Sequence, residues 1–327
     1  MPIELKLTHF LIDHVMNRGN QMIDLHCDTI LLLDEAGDRA NLRKNPFSVD
    51  LKKLQKNKSL AQFFALFIEL EAFDEPWDYF EKLYYRFNKE MDENRDIIKH
   101  VRSYDEMINN DQLSAFLTVE EGGIIGKDFS KLEKLYELGV RLITLTWNFP
   151  NSIGFPNVNG HSDKGLTKFG KEVVEYMNST GMIIDVSHLS DAGFWDVANI
   201  SNKPFIASHS NARSIVDHSR NLTNPMIKAI ADSGGVIGIN FCPSFINKEG
   251  VSTIDMIVKH MLHIIDQGGI DVMAIGTDFD GIKGPLEIED ISQMYLLKDA
   301  LMKKGLTENQ INKIWQQNAK RVIREVL

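Results

Sequence analysis

The sequence predicts an α/β fold, a (β/α)8 barrel of the TIM type, and three observations predict it. First, four short apolar runs each end in residues that ligate metals. Residues 22–25 lead into His26, Cys27 and Asp28, 116–119 into Glu120 and Glu121, 182–186 into Ser187 and His188, and 204–207 into Ser208 and His209. Second, these runs belong to a set of eight short segments rich in β-branched, aromatic and aliphatic residues, as expected of strands buried on both faces. Third, segments of helical period separate most of them, and strand–helix alternation through eight strands is the pattern of this barrel.

Taken in order, the predicted strands cover residues 22–25, 62–70, 115–119, 142–146, 182–186, 205–207, 236–241 and 272–276. The helical segments carry apolar stripes. Leu132, Leu135, Tyr136 and Leu138 precede Gly139; Val173, Val174 and Met177 precede Gly181; Met226, Ile227 and Ile230 precede Gly234 and Gly235. Glycine directly after such a stripe is a helix stop. The last segment, 307–327, opens with Thr307 and Gln310 at capping-box spacing and continues as a helix. The region 71–102, after the second strand, has aromatic and charged residues at helical spacing. The stretch 148–164, with its proline, glycine and asparagine residues, reads as a loop over the barrel mouth. There is no internal repeat, linker or low-complexity tract, so residues 1–327 are expected to form a single domain.

Composition narrows the function. The chain has 327 residues, 43% of them hydrophobic and 25% charged, which suits a globular protein with a large core. A formal charge of −10 argues against nucleic acid as a partner, since phosphate binding needs a basic face. Two cysteines, Cys27 and Cys242, make no disulfide framework and fit a reducing compartment. Residues 1–18 have no signal-peptide pattern, and no stretch is long and apolar enough to span a bilayer. The expected location is cytoplasmic, with no membrane partner.

Strand ends of a parallel barrel converge on one cavity, the usual seat of chemistry. A His and an Asp two residues apart at a strand end point to one side, while Cys27 between them points away and reads as a small buried hydrophobe. Imidazoles with hard carboxylates suit zinc or a similar divalent ion. The donor count favours two ions. His188 and His209 serve one, His26 and Asp28 the other, and Glu120 has an oxygen for each, around a bridging water that would be the nucleophile as hydroxide. Glu120 is the first choice for the shared carboxylate because it directly follows its strand; Glu121 is the alternative. Asp278, which continues the eighth strand, is preferred over Asp280 as the proton carrier. Arg220, in the loop after His209, is the candidate clamp for a substrate carboxylate. His260 and His263 share a helix face and read as structural. His9, His14, His100 and His218 read as surface or loop residues, and His161 is unassigned. Fold and ligand set together describe a barrel of the metal-dependent hydrolase type.

These residues resemble the membrane dipeptidase (renal dipeptidase) family of zinc peptidases. The resemblance is carried by residues 24–28 (DLHCD), 119–123 (VEEGG), 142–146 (LITLT), 165–170 (GLTKFG), 184–188 (IDVSH), 208–210 (SHS), 219–221 (SRN) and 276–281 (GTDFDG), in that order. It implies a binuclear zinc enzyme that cleaves dipeptides, including those with a C-terminal D-residue, and it suggests a homodimer; without the signal, lipid-anchor signal and disulfides of membrane-attached relatives, the expected form is the soluble microbial one. By position, His26, Asp28, Glu120, His188 and His209 match the zinc ligands, Asp278 the proton-transfer residue and Arg220 the group that holds the terminal carboxylate. Glu120 keeps a gapless spacing to 142–146. One departure is Trp147, where some relatives carry a histidine that polarises the scissile carbonyl; either another donor, with Asn148 as the candidate, does that work, or the metal alone suffices. The rival readings are another barrel metallohydrolase (a deaminase, lactonase or phosphotriesterase) and a non-catalytic ligand-binding barrel. A His-x-Asp first motif and the absence of a lysine in 142–146 favour the peptidase.

Overall fold

A computed structural model describes residues 21–327, so the expectations for residues 1–18, His9 and His14 lie outside the described residues. Among the described residues, eight strands run in chain order: β1 Met22–Cys27, β2 Ser59–Phe67, β3 Ile98–His100, β4 Leu113–Glu120, β5 Val140–Thr144, β6 Ile183–Asp185, β7 Ile237–Ile239 and β8 Met273–Ile275. The ladders are parallel, and the sheet reads β6-β5-β4-β2-β1-β8-β7. The predicted parallel barrel with alternating helices is therefore present.

Two elements differ from the sequence expectation. The predicted sixth strand, 205–207, forms no ladder of its own. Ile206 makes a single parallel bridge to Asp185 and Ala207 one to Ile237, so the segment is a short stave closing the barrel between β6 and β7. Its neighbourhood is too tight for a regular strand. A Cβ on Gly238 or Gly276 would lie 1.9 or 1.8 Å from the Ser208 carbonyl oxygen, so both glycines are there to let the stave's backbone approach. Conversely, the region 71–102 yields the predicted helix (Pro76–Glu93) and then β3, an unpredicted strand. Ser114 and Ala115 pair with β2 on one edge and with Lys99 and His100 on the other. β3 thus occupies the lower part of the edge that β5 takes up from Leu117 onward. His100 belongs to this strand rather than to a loop. Its ring packs edge-on to Phe87 at 5.1 Å, and burial lowers its pKa to about 4.

Alternation sorts the barrel into two layers. Phe63, Phe116, Leu142, Ile183, Ile206, Val236 and Ala274 pack together inside it, over Ala319, Val322 and Val326 of the C-terminal helix, Asn318–Val326. Phe63 and Phe116 stack with centroids 4.6 Å apart. The intervening residues Phe64, Leu66, Leu117, Val119 and Ile143 face outward onto the helices. A fully buried aromatic or aliphatic side chain of this kind contributes roughly 1.5–3 kcal/mol. The inner layer is a solid floor, so the space for chemistry lies above it at the strand C-termini.

Candidate metal centre at the barrel mouth

The inner positions continue upward into polar residues. On β4, Phe116 and Thr118 are followed on the same face by Glu120, and its neighbour in register on β2 is Phe67. β1 reaches the mouth by a different device. Ile23 and Leu25 belong to the inner layer, so strict alternation would turn His26 outward. Between Asp24, paired with Gln62, and Cys27, paired with Phe64, β1 has one more residue than β2. This bulge re-aims His26 into the mouth. Cys27 is fully buried in the outer apolar layer, as expected of a small hydrophobe.

His26, Asp28, Glu120, His188, His209 and Asp278 meet in one buried cluster. His26 Nε2 lies 3.3 Å from Asp28 Oδ2, 3.2 Å from Glu120 Oε2 and 3.8 Å from Asp278 Oδ1. The other oxygen of Glu120, Oε1, lies 3.1 Å from His188 Nε2 and 3.4 Å from His209 Nε2. The carboxylate thus faces His26 with one oxygen and the two later histidines with the other. Two groupings have donor atoms close enough to share an ion: His26, Glu120 and His209, and His26, Asp28 and Asp278.

Glu121 takes no part in the cluster. Its carboxylate accepts hydrogen bonds from the Gly123 and Trp147 backbone N–H groups, at 2.7 and 2.8 Å, and from Asn151 Nδ2. It caps the turn after β4 and ties the mouth loop down. Burial pushes its pKa up to about 7. Asp280 is likewise committed to structure, accepting from Thr29 Oγ1 at 2.7 Å and from the Ser48 and Val49 N–H groups at 2.7 and 3.3 Å. Gly281 next to it must lack a side chain, because a Cβ there would meet Asp28 Oδ2 at 2.1 Å.

The surrounding hydrogen bonds fix which nitrogen His188 and His209 offer. Asp185 Oδ2 accepts from Ser208 Oγ at 2.5 Å, and Ser208 Oγ in turn accepts from His209 Nδ1 at 2.7 Å. Asn148 Oδ1 accepts from His188 Nδ1 at 3.1 Å. With Nδ1 as the N–H on both rings, both Nε2 atoms present lone pairs, and these face each other at 3.1 Å. Such an arrangement is repulsive unless a cation lies between the lone pairs, so the donor set fits a metal. Burial keeps both rings neutral, His188 at a pKa of about 4 and His209 well below its usual value. For His26 burial acts in the same direction, but Glu120 and Asp28 outweigh it and raise the pKa well above the ordinary range. Burial acts to raise the Glu120 pKa, but the neighbouring His26 outweighs it and holds the carboxylate well below its usual range.

Asp278 and His188 hold left-handed backbone conformations, with φ of 62° and 69°. Non-glycine residues adopt these at a cost, and such strain gathers where geometry matters. Asn240, fully buried, donates from Nδ2 to Asp278 Oδ2 at 2.8 Å, leaving Oδ1 turned towards His26. Burial raises the Asp278 pKa to about 7. Arg220 is 3% exposed. Its Nη2 donates to the His209 carbonyl at 3.2 Å, while Nε and Nη1 have no partner among the described residues. A buried guanidinium with free donors is primed for an anion. Sequence reasoning missed Asn240, Asp185 and Ser208, whose signals are only a polar residue at a strand end, and it gave Asn148 a different part. His260, 0% exposed, accepts at Nδ1 from the Ala212 N–H and donates from Nε2 to the Ile246 carbonyl, a structural role as expected.

A parallel barrel whose mouth buries a ring of imidazoles and carboxylates defines a barrel metallohydrolase. The family model "Membrane dipeptidase (Peptidase family M19)" matches residues 12–327. An uncharacterised dipeptidase of Schizosaccharomyces pombe is 33% identical over an alignment of 301 positions that covers 84% of this chain and 71% of the relative. The chain belongs to the membrane dipeptidase family, and by that membership it is a dipeptidase of the metallopeptidase type. An uncharacterised protein from the pqqA 5′ region of Klebsiella pneumoniae is 35% identical over an alignment of 218 positions that covers 64% of this chain and 80% of that protein. A metallopeptidase from Rhodobacter sphaeroides, solved with a phosphinate mimic of the dipeptide L-Ala-D-Ala, superposes with a TM-score of 0.87 at 25% identity, covering 94% of this chain and 99% of that one. A probable dipeptidase from Pseudomonas aeruginosa shares the fold, with a TM-score of 0.86 at 21% identity over 97% of this chain and 98% of its own. Among the described residues, no helix is long and apolar enough to cross a membrane.

Proposed function

We propose that the chain hydrolyses dipeptides at the barrel mouth with two divalent ions, zinc being the expected metal, held by His26, Asp28, Glu120, His188 and His209. The observation that carries this reading is the division of the Glu120 carboxylate, with Oε2 3.2 Å from His26 and Oε1 3.1 and 3.4 Å from His188 and His209. Bound there, the ions would supply Lewis acidity and an acidified water as nucleophile.

The chain's own residues then have separable tasks. Arg220 receives the terminal carboxylate on its two free donors and fixes which end of the substrate enters. Asp278 takes a proton from the attacking water and returns it to the leaving amine, so no net charge accumulates on it over a turnover. Asn240 assigns that proton to one atom. Its N–H donor at Asp278 Oδ2 needs a lone pair there, so the proton travels on Oδ1, the oxygen facing the cluster. Asn148, Ser208 and Asp185 hold the His188 and His209 rings with their Nε2 lone pairs directed inward. Asn148 is therefore assigned to positioning His188 rather than to polarising a carbonyl. The R. sphaeroides neighbour was solved with an L-Ala-D-Ala mimic, and on that likeness we include dipeptides with a C-terminal D-residue among the substrates.

The test is an assay of the zinc-reconstituted protein over a library of L,L and L,D dipeptides, with longer peptides as controls. Hydrolysis confined to dipeptides and abolished by a chelator is the expected result. No hydrolysis across the library would refute the reading.

A further inference from the structure

The mechanism leaves one part of the mouth unused. Phe67, Trp147 and Phe149 form a half-buried aromatic wall, with Trp147 centroids 4.8 Å from Phe67 and 5.9 Å from Phe149. The wall borders the cluster directly. The Trp147 ring lies 6.4 Å from the His188 ring, and Phe67 is the register partner of Glu120 at the top of the inward-facing row that starts with Phe63. Its position is fixed from behind, since Glu121 accepts the Trp147 backbone N–H.

The order of staves places this wall relative to Arg220. Around the barrel, β2, carrying Phe67, and the stave 205–207, which leads to His209, stand opposite each other. Arg220 bonds the His209 carbonyl, so the guanidinium stands across the mouth from Phe67, and Trp147 and Phe149, from the loop after β5, continue the wall from Phe67 towards His188. A dipeptide spans only about 7 Å. With its carboxylate on Arg220 and its peptide bond at the cluster, the side chain of its N-terminal residue has the aromatic wall as its neighbour.

We propose that Phe67, Trp147 and Phe149 form the subsite for the N-terminal residue and select dipeptides whose first side chain is large and apolar, aromatic above all. This deepens the dipeptidase reading and rests on it. Rings of this kind favour offset or edge-on aromatic partners and offer neither charge nor strong acceptors to a polar side chain. A well-filled apolar subsite discriminates by about ten-fold or more against a residue that leaves it empty.

The experiment compares kcat/KM for Phe-Ala, Leu-Ala and Gly-Ala with the zinc-reconstituted protein and its Trp147→Ala and Trp147→Phe variants. The expected result is a Phe-Ala to Gly-Ala ratio of about ten or more in the natural protein. That ratio should collapse in Trp147→Ala and survive in Trp147→Phe; Phe149→Ala serves as the second truncation should Trp147→Ala fail to fold. A natural ratio near or below one, or an unchanged ratio in the truncated variants, overturns the subsite while leaving the dipeptidase reading intact. Absence of hydrolysis of every dipeptide overturns both.

Discussion

Exchanging each member of the Glu120–Glu121 pair for alanine should produce two different defects. Glu121 holds three donors: the Gly123 and Trp147 backbone N–H groups and Asn151 Nδ2, which also reaches the Leu145 carbonyl. A buried donor left without its acceptor costs about 1–3 kcal/mol. Even at the low end of that range, losing the Glu121 carboxylate removes about 3 kcal/mol, enough to lower Tm by roughly 4 °C in a protein of this size. The Glu120 carboxylate has a different setting, with only imidazole nitrogens as close partners. Removing it deletes no backbone cap, so Glu120→Ala should lose metal far more than it loses stability. The assay is Tm by calorimetry in parallel with zinc stoichiometry after dialysis against a weak chelator. Glu121→Ala should melt early and keep its zinc. A Glu121→Ala protein with natural Tm and reduced zinc would refute the assignment.

Three further outcomes are expected. Asp278→Asn should lower kcat by about 10²–10⁴, the usual worth of a positioned proton carrier, with zinc content unchanged; near-natural kcat would remove Asp278 from proton transfer. Arg220→Lys should raise KM for dipeptides about ten-fold or more, because an ammonium cannot reproduce the two-pronged contact with a carboxylate; an unchanged KM would exclude the clamp. His260 makes a stability prediction. Burial lowers its pKa from 6.5 to about 4, so between those pH values the unfolded chain binds more protons than the folded one. Its contribution is complete above about 6.5 and is lost as pH falls through about 4, amounting to about 3 kcal/mol. Denaturant titrations at pH 7 and pH 4.5 should show the natural protein losing more stability than His260→Gln; equal losses would refute this.

Much of the site was legible because its signals are local. A histidine or carboxylate at the end of a buried apolar run needs only strand direction and barrel topology to be placed, and those residues meet in one cluster. The sixth strand was legible as apolar but not as irregular. Its form depends on Gly238 and Gly276, which come from other strands and yield space to the Ser208 carbonyl. β3 was hidden because three residues carry too little pattern, and it exists only by pairing with the edge of β4 left free below β5. Asn240, Asp185 and Ser208 were invisible for a similar reason, since a hydrogen-bond partner is chosen by proximity in space.

The four strand-end motifs by themselves determined the barrel, the direction of its mouth and the identity of the residues gathered there, because periodicity and strand polarity are written in neighbouring positions. Tertiary structure alone decided how those residues face one another. The β1 bulge turned His26 inward against the alternation of its own strand. The reach of the Trp147 and Asn151 donors drew Glu121 away from the cluster, leaving Glu120 between His26 and the two later histidines. Both outcomes depend on partners more than twenty residues distant in the chain, which only the folded barrel brings within hydrogen-bonding range.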